Sequence, residues 1–304
     1  MKIYKKMLNK NVLALAIVST LLSSCGGDKK DDVNKDELVE TQDTVKASVV
    51  NVSGELFSVP SPVQTALLIQ KSGISYDKST LHSSNKVNTF STDYSKSINL
   101  GIYGADLGYV SLYNQTQDAL GYLAAVKQLA DKLGISAAFD ASTMERIKNN
   151  VTNKDSMMVL VGIAYRGSDA YLKNNQRSNV SSLILTGGWI ESMHFSVTAY
   201  KTKPSEAVRF RIAEQKQALG SLIKILSNSK DTDVIALTTQ LIDLSKIYEG
   251  IKFKYTFVEP VTDTVKKLTY INSTTDVTVT DEQIELITIK VKEIRNKIIN
   301  TPQS

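Results

Sequence analysis

Cysteine, histidine and tryptophan are nearly missing: 304 residues hold one Cys, two His and one Trp. A lone cysteine closes no intrachain disulfide and builds no multi-cysteine metal centre. A di-iron bundle uses Glu-x-x-His twice, so both histidines would have to stand in that motif. Glu191-Ser192-Met193-His194 has that spacing, but His82 sits in a Ser/Asn-rich stretch with no matching Glu. No serine lies in a nucleophile elbow, and no Ser-His-Asp order can be placed. The stretch Gly101 to Gly108 is glycine-rich without being a dinucleotide fingerprint, because no strand precedes it and the spacing is wrong. The apolar run Val12 to Leu22 is too short to cross a bilayer, which takes about twenty residues.

That run does fit a secretory signal. Lys2, Lys5, Lys6 and Lys10 precede it, and Leu22-Ser23-Ser24-Cys25 follows. A basic start, a short apolar core and small residues before a cleavage point make the pattern. With the only cysteine at its end, it resembles the bacterial lipobox. The resemblance implies cleavage before Cys25, a diacylglycerol on its sulfur and palmitate-type acylation, and hence membrane attachment through lipid. The formal charge of +5 comes from 36 basic and 31 acidic residues. Without the four leader lysines the count is 32 against 31, so no basic stripe remains for nucleic acid.

Three segments follow: a signal peptide over 1–24, a lipidated cysteine with a disordered acidic tether over 25–56, and an ordered domain over 57–304. The tether has many acids and no aromatic before Phe57, too little apolar surface to fold. Asp28-Lys29-Lys30-Asp31-Asp32 resembles the lysine-plus-acid signal that sends some Gram-negative lipoproteins to the cell surface. It reads equally well as a solvated spacer. The expected location is the outer membrane of a Gram-negative bacterium, on its periplasmic face or at the surface.

The domain is expected to be mainly α: an antiparallel multi-helix bundle with a small antiparallel β-hairpin or meander at about 251–280. Ser61-Pro62 starts a helix that Gly73 ends. Residues 74–92 are polar and aperiodic, a long loop with one turn of helix. Apolar residues then recur at three- and four-residue steps: Ile98 to Leu112, Ala119 to Leu133, Met158 to Leu172, Leu183 to Tyr200, Val208 to Leu226, Val234 to Tyr248 and Ile284 to Ile298. Ser142 with Glu145, and Thr280 with Gln283, have capping-box spacing. Ile251, Phe253, Tyr255 and Phe257 alternate as in a half-buried strand. Val265 to Ile271 would return, and Val277 and Val279 would add a third. Gly104-Ala105-Asp106 through Gln115 echoes Gly167-Ser168-Asp169 through Gln176, by duplication of a helical hairpin or by chance.

Ser61 to Gly73 and Asn99 to Tyr109, with Gln115-Thr116-Gln117-Asp118, resemble an uncharacterised family of bacterial surface or outer-membrane lipoproteins. The resemblance implies class and location and adds no mechanism. The Gly-x-His-x-x-Glu signature of imelysin-like helical lipoproteins is absent.

Candidate cleft residues are Asp106, Tyr109, Asp118, Trp189, Glu191 and His194. Gly101, Gly104 and Gly108 share a helical face beside Asp106, either for close helix contact or for approach of a ligand to the backbone. Glu191 and His194 with one more acid could hold a single metal, or be core residues. Asp106, Asp118, Asp169 and Glu191 would be paired carboxylates in a hydrolase, or plain helix surface and caps. The tyrosines, Tyr109 among them, suit a binding cleft or the edge of a core. No cofactor is expected. The leading reading is a non-catalytic envelope lipoprotein that binds a small ligand or an envelope protein. The alternatives are a hydrolase with carboxylates between helices and a structural part of an envelope complex.

Overall fold

Two helices are buried on every side, and the others are built against them. In the computed structural model, residues 48–52, 55–59 and 61–300 are described, apart from 152 and 266. The expected signal peptide, Cys25 and most of the expected tether lie outside the described residues. The central helices are α2 (Asp93–Leu112) and α6 (Ser178–Thr202). Neither has a solvent face, as expected of helices at the middle of a core.

They cross at glycines. A methyl group on Gly101 would lie 2.0 Å from the Ile184 carbonyl oxygen, and one on Gly187 would lie 2.0 Å from that of Ile98. Only hydrogen fits at either point. One turn on from Gly101, Gly104 makes room for Tyr165, whose hydroxyl donates to the Gly101 carbonyl at 3.0 Å. Gly108 faces Val63. The glycine face is therefore filled by protein on each side and leaves no room for a ligand.

Around this pair lie α1 (Pro62–Lys71), α3 (Thr116–Lys132), α4 (Ala141–Asn149), α5 (Lys154–Asn174), α7 (Glu206–Ala213), α8 (Gln215–Leu226), α9 (Thr232–Glu249) and α10 (Asp281–Asn300). Each expected apolar stripe became a helix, with a break at Glu214 dividing the stripe from 208 to 226. The Thr280–Gln283 capping box forms, each residue bonding the other's backbone N–H at 2.9–3.1 Å. The expected box at Ser142 does not. Asp140 caps α4 instead, accepting from the N–H groups of Ser142 and Thr143. Asp140 stands one residue ahead of the helix, where a carboxylate meets the unpaired N–H groups.

The sequence echo has a local cause. The turns after α2 and α5 share one geometry, with Asn114 and Gln176 at φ of +57° and +58°. In both, an N–H bonds five residues back: Gln115 to Val110 and Arg177 to Leu172. Gly134 after α3 does the same, with Ile135 bonding Ala130. A common helix-ending motif accounts for all three without duplication.

Two β features differ from expectation. Strands β1 (Ser48–Val52) and β2 (Glu55–Val59) pair antiparallel, so part of the segment expected to be tether is regular structure. Three valines in β1 and the Ser53-Gly54 pair between the strands are a hairpin signal that acidic composition upstream obscured. Near the C-terminus the hairpin alternative holds, as one long ribbon whose strand pairing differs from that expected. β3 (Lys252–Thr256) pairs with β6 (Thr274–Thr278), and β4 (Val261–Asp263) with β5 (Leu268–Tyr270). The return strand starts at Leu268, since Val265 lies in the turn at the tip. The expected half-buried strand is exposed along its whole length.

Candidate functional site

Residues 74–92 run over the core with only two short 3-10 turns, Lys78–Thr80 and Ser84–Asn88. A backbone without helix or sheet must find other partners for its polar groups once it is buried. Here side chains from α2, α3, α6 and α10, and from the turn after α2, supply them. Tyr113 donates to the Ile74 carbonyl at 2.7 Å, Tyr122 to that of His82 at 2.9 Å, and Tyr103 to that of Ser83 at 2.9 Å. The Thr80 carbonyl accepts from Arg295 Nη2 and from His194 Nε2, both at 3.1 Å. The His82 N–H donates to Asp106 Oδ2 at 3.3 Å.

The last two anchors belong to a buried polar cluster. Arg295 from α10 grips Glu191 on α6 with a two-pronged fork, Nε to Oε2 and Nη2 to Oε1, each 2.6 Å. Glu191 and Asp106 are wholly buried, and His82, His194 and Arg295 nearly so. His82 stacks on Tyr103, 5.1 Å between centroids and 6° from parallel. Both histidines of the protein are thus in the cluster. His194 donates through Nε2, which leaves its Nδ1 a bare acceptor with no protein partner.

Charge is balanced inside. Burial pushes Glu191 up, but the Arg295 charge and its hydrogen bonds outweigh this and hold it below the ordinary value. Burial raises Asp106 far above the usual carboxylate range, and the neighbouring Glu191 raises it further. Both effects favour the protonated acid, which can donate to the Glu191 carboxylate beside it. Its Oδ1, which no N–H or O–H reaches, is then a donor and not an unpaired acceptor. Burial lowers both histidines to about 4, so both are neutral at pH 7. One full negative charge faces one full positive charge, which is how a group of five ionisable residues survives in a core.

Beside the cluster lies an open groove of about 380 Å³, bounded by the loop, α2 and α6. Its aromatic wall is Tyr76, Tyr109 and Phe195, with Tyr109 and Phe195 4.7 Å apart and Tyr76 5.8 Å from Tyr109. Thr198, Thr202 and Lys203 line the far side. Thr80 lines the groove and accepts from the cluster, so the loop is their common wall.

Of the expected cleft residues, Asp106, Glu191 and His194 come together, but inside the core, with both Glu191 oxygens occupied. Reading carboxylates on helices as solvated surface or caps fails for Asp106 and Glu191, because α2 and α6 have no outer face. Tyr109 is in the groove wall. Asp118 stands near it, taking hydrogen bonds from Tyr76 and Lys78, each 2.6 Å. Trp189 points elsewhere and donates to Gln215 at 2.9 Å, so it belongs to the packing of α6 on α8. Asp169 pairs with Lys173 at 2.6 Å. Among the described residues no group of three His, Cys, Asp or Glu side chains is arranged to hold a metal, and none of the helices is long and apolar enough to cross a membrane.

Arg295 and His82 were missed. Arg295 did leave a signal: it occupies a stripe position of α10, seven residues after Thr288 and four after Val291. A charged residue there must be buried with a partner. His82 left none, since the loop has no period. No protein-family model, curated protein or solved structure matches this chain, so its chemistry is read from this geometry.

Proposed function

We propose that this is a lipid-anchored envelope protein that binds a ligand or partner in the groove between the loop, α2 and α6, without catalysing a reaction. The observation that carries the binding reading is the contrast between the two neighbouring features. Asp106 and Glu191 are sealed in the core, Glu191 paired with Arg295, while the groove opens to solvent at Tyr76, Thr202 and Lys203 over the buried rings of Tyr109 and Phe195. Aromatics with polar tips beside a few polar groups suit recognition of a small polar molecule. The anchor rests on the leader and Cys25, and on the resemblance to surface lipoproteins.

Both halves can be tested. Cells grown with an alkyne-bearing palmitate analogue should label the parent protein and not Cys25→Ser; an unlabelled parent would end the anchoring claim. For the groove, thermal-shift screening with soluble oligosaccharides and short peptides should find a stabilising compound whose effect Tyr109→Ala removes. A compound that is hydrolysed by the parent and spared by Asp106→Asn would replace binding with catalysis.

A further inference from the structure

Among the described residues, none of the helices packs across the ribbon from β3 to β6, which stands out as an arm. Nine of its apolar side chains are between 40% and 91% exposed, among them Tyr255, Phe257, Val261, Val265, Leu268 and Ile271. At about 150–250 Å² for each aromatic and less for each aliphatic, they offer on the order of 900 Å². Monomers rarely show an apolar patch above roughly 600 Å². A stable interface takes about 800 Å² from each partner. A two-stranded ribbon is also marginal alone in water, so its other partner is part of its stability.

A second unpartnered strip lies at the arm's root. Ile235 and Ile242 on α9, and Leu286 and Ile289 on α10, are 40–49% exposed. The two helices run side by side, with Lys290 4.0 Å from Asp243; Ile235 and Ile242, seven apart, share one side of α9, and Leu286 and Ile289, three apart, share one side of α10. One chain thus carries a long apolar projection and an apolar strip that it leaves uncovered.

We propose that the occupant is a second copy of this chain, with the arm of each protomer lying across the α9–α10 strip of the other. A two-fold pair buries both features twice and closes, leaving neither open for further addition. An anionic bilayer fits less well. The arm has Lys252, Lys254, Lys266 and Lys267 against Glu259, Asp263 and Asp276, a surplus of one, where lipid-binding segments cluster about four to eight basic residues. Exposed Glu249, Glu282 and Glu285 stand at the root and would repel anionic headgroups.

The test places a photo-crosslinking benzophenone amino acid at Val265 in the full chain and irradiates intact membranes. A product of twice the protomer mass is expected, with the crosslinked peptide from α9 or α10 of the partner copy. Leu286→Lys with Ile289→Lys should cut that product at least tenfold while circular dichroism stays at the parent level. Both positions are about half exposed, so folding does not depend on them. Adducts only to lipid, to a different protein or to a peptide outside α9 and α10 would overturn the proposal, and so would no adduct at all.

Discussion

Replacing Asp106 by Asn should leave the protein at least as stable at pH 7.5, although the side chain is wholly buried beside a carboxylate. Burial and Glu191 favour the proton on Asp106 in the folded protein, and unfolding, where it behaves as an ordinary aspartate, releases it. Keeping the proton costs about 1.4 kcal/mol for each pH unit above the unfolded value, up to the folded one. Asn carries no such cost. Its amide can donate to Glu191 as the acid does, and its oxygen can accept from the His82 N–H. Glu191→Gln should behave oppositely, because it strands the Arg295 charge in the core. Removing one member of such a pair costs roughly 3–5 kcal/mol. In a domain of this size that lowers Tm by roughly 6–20 °C. Urea unfolding followed by Trp189 fluorescence, at several pH values, reads both. Any gain from Asn should shrink as pH falls towards 4, where the unfolded aspartate also holds its proton. If Asp106→Asn were as damaging as Glu191→Gln, Asp106 would be ionised and sharing Arg295, and the charge assignment would be wrong.

The histidines set a pH dependence of definite sign. His82 and His194 titrate near 4 when folded against 6.5 when free, chiefly because burial disfavours their charged form. The unfolded chain binds more protons between those values, so stability should be full above about 6.5 and fall towards pH 4. The loss is about 3 kcal/mol for each histidine. His82→Phe, which keeps a ring against Tyr103, should flatten that fall by about half of the histidine contribution; an unchanged slope would show His82 is not buried neutral. Gly187→Ala should be among the most damaging small changes, since its methyl meets backbone at 2.0 Å and neither helix can move alone. Overpacking of this kind costs roughly 1–3 kcal/mol or more, and a Tm within a degree of the parent would contradict the crossing.

The helices were legible because burial repeats with the turn of the helix. Stripes such as Ala119 to Leu133 and Ile284 to Ile298 state which face is inside without any knowledge of the neighbour. The polar cluster was only half legible. Asp106, Glu191 and His194 stood out by type, but their fate depended on α2 and α6 having no outer face. Glu191 is matched by a residue 104 positions away, and no spacing rule reaches that far. The C-terminal hairpin was foreseen, but its pairing and exposure were not, for a related reason. Alternation from Ile251 to Phe257 showed a strand, but its partner was β6 and not the nearer segment, and a strand exposed on both faces alternates just as a half-buried one does. The first hairpin was lost to composition, because an acidic stretch upstream was extended through the valines that end it.

At the centre of this account is a loop held down by buried charge, with Glu191 and Arg295 fixing Thr80 and Asp106 fixing His82. Amide hydrogen exchange in the parent and in Glu191→Gln measures that directly. In the parent the His82 N–H should exchange as slowly as the middle of α2. In the variant, amides from Asp77 to Ser83 should exchange at least a hundred times faster, while α2 and α6 still exchange slowly in comparison. A loop that kept its protection in the variant would mean that the buried pair does not hold it.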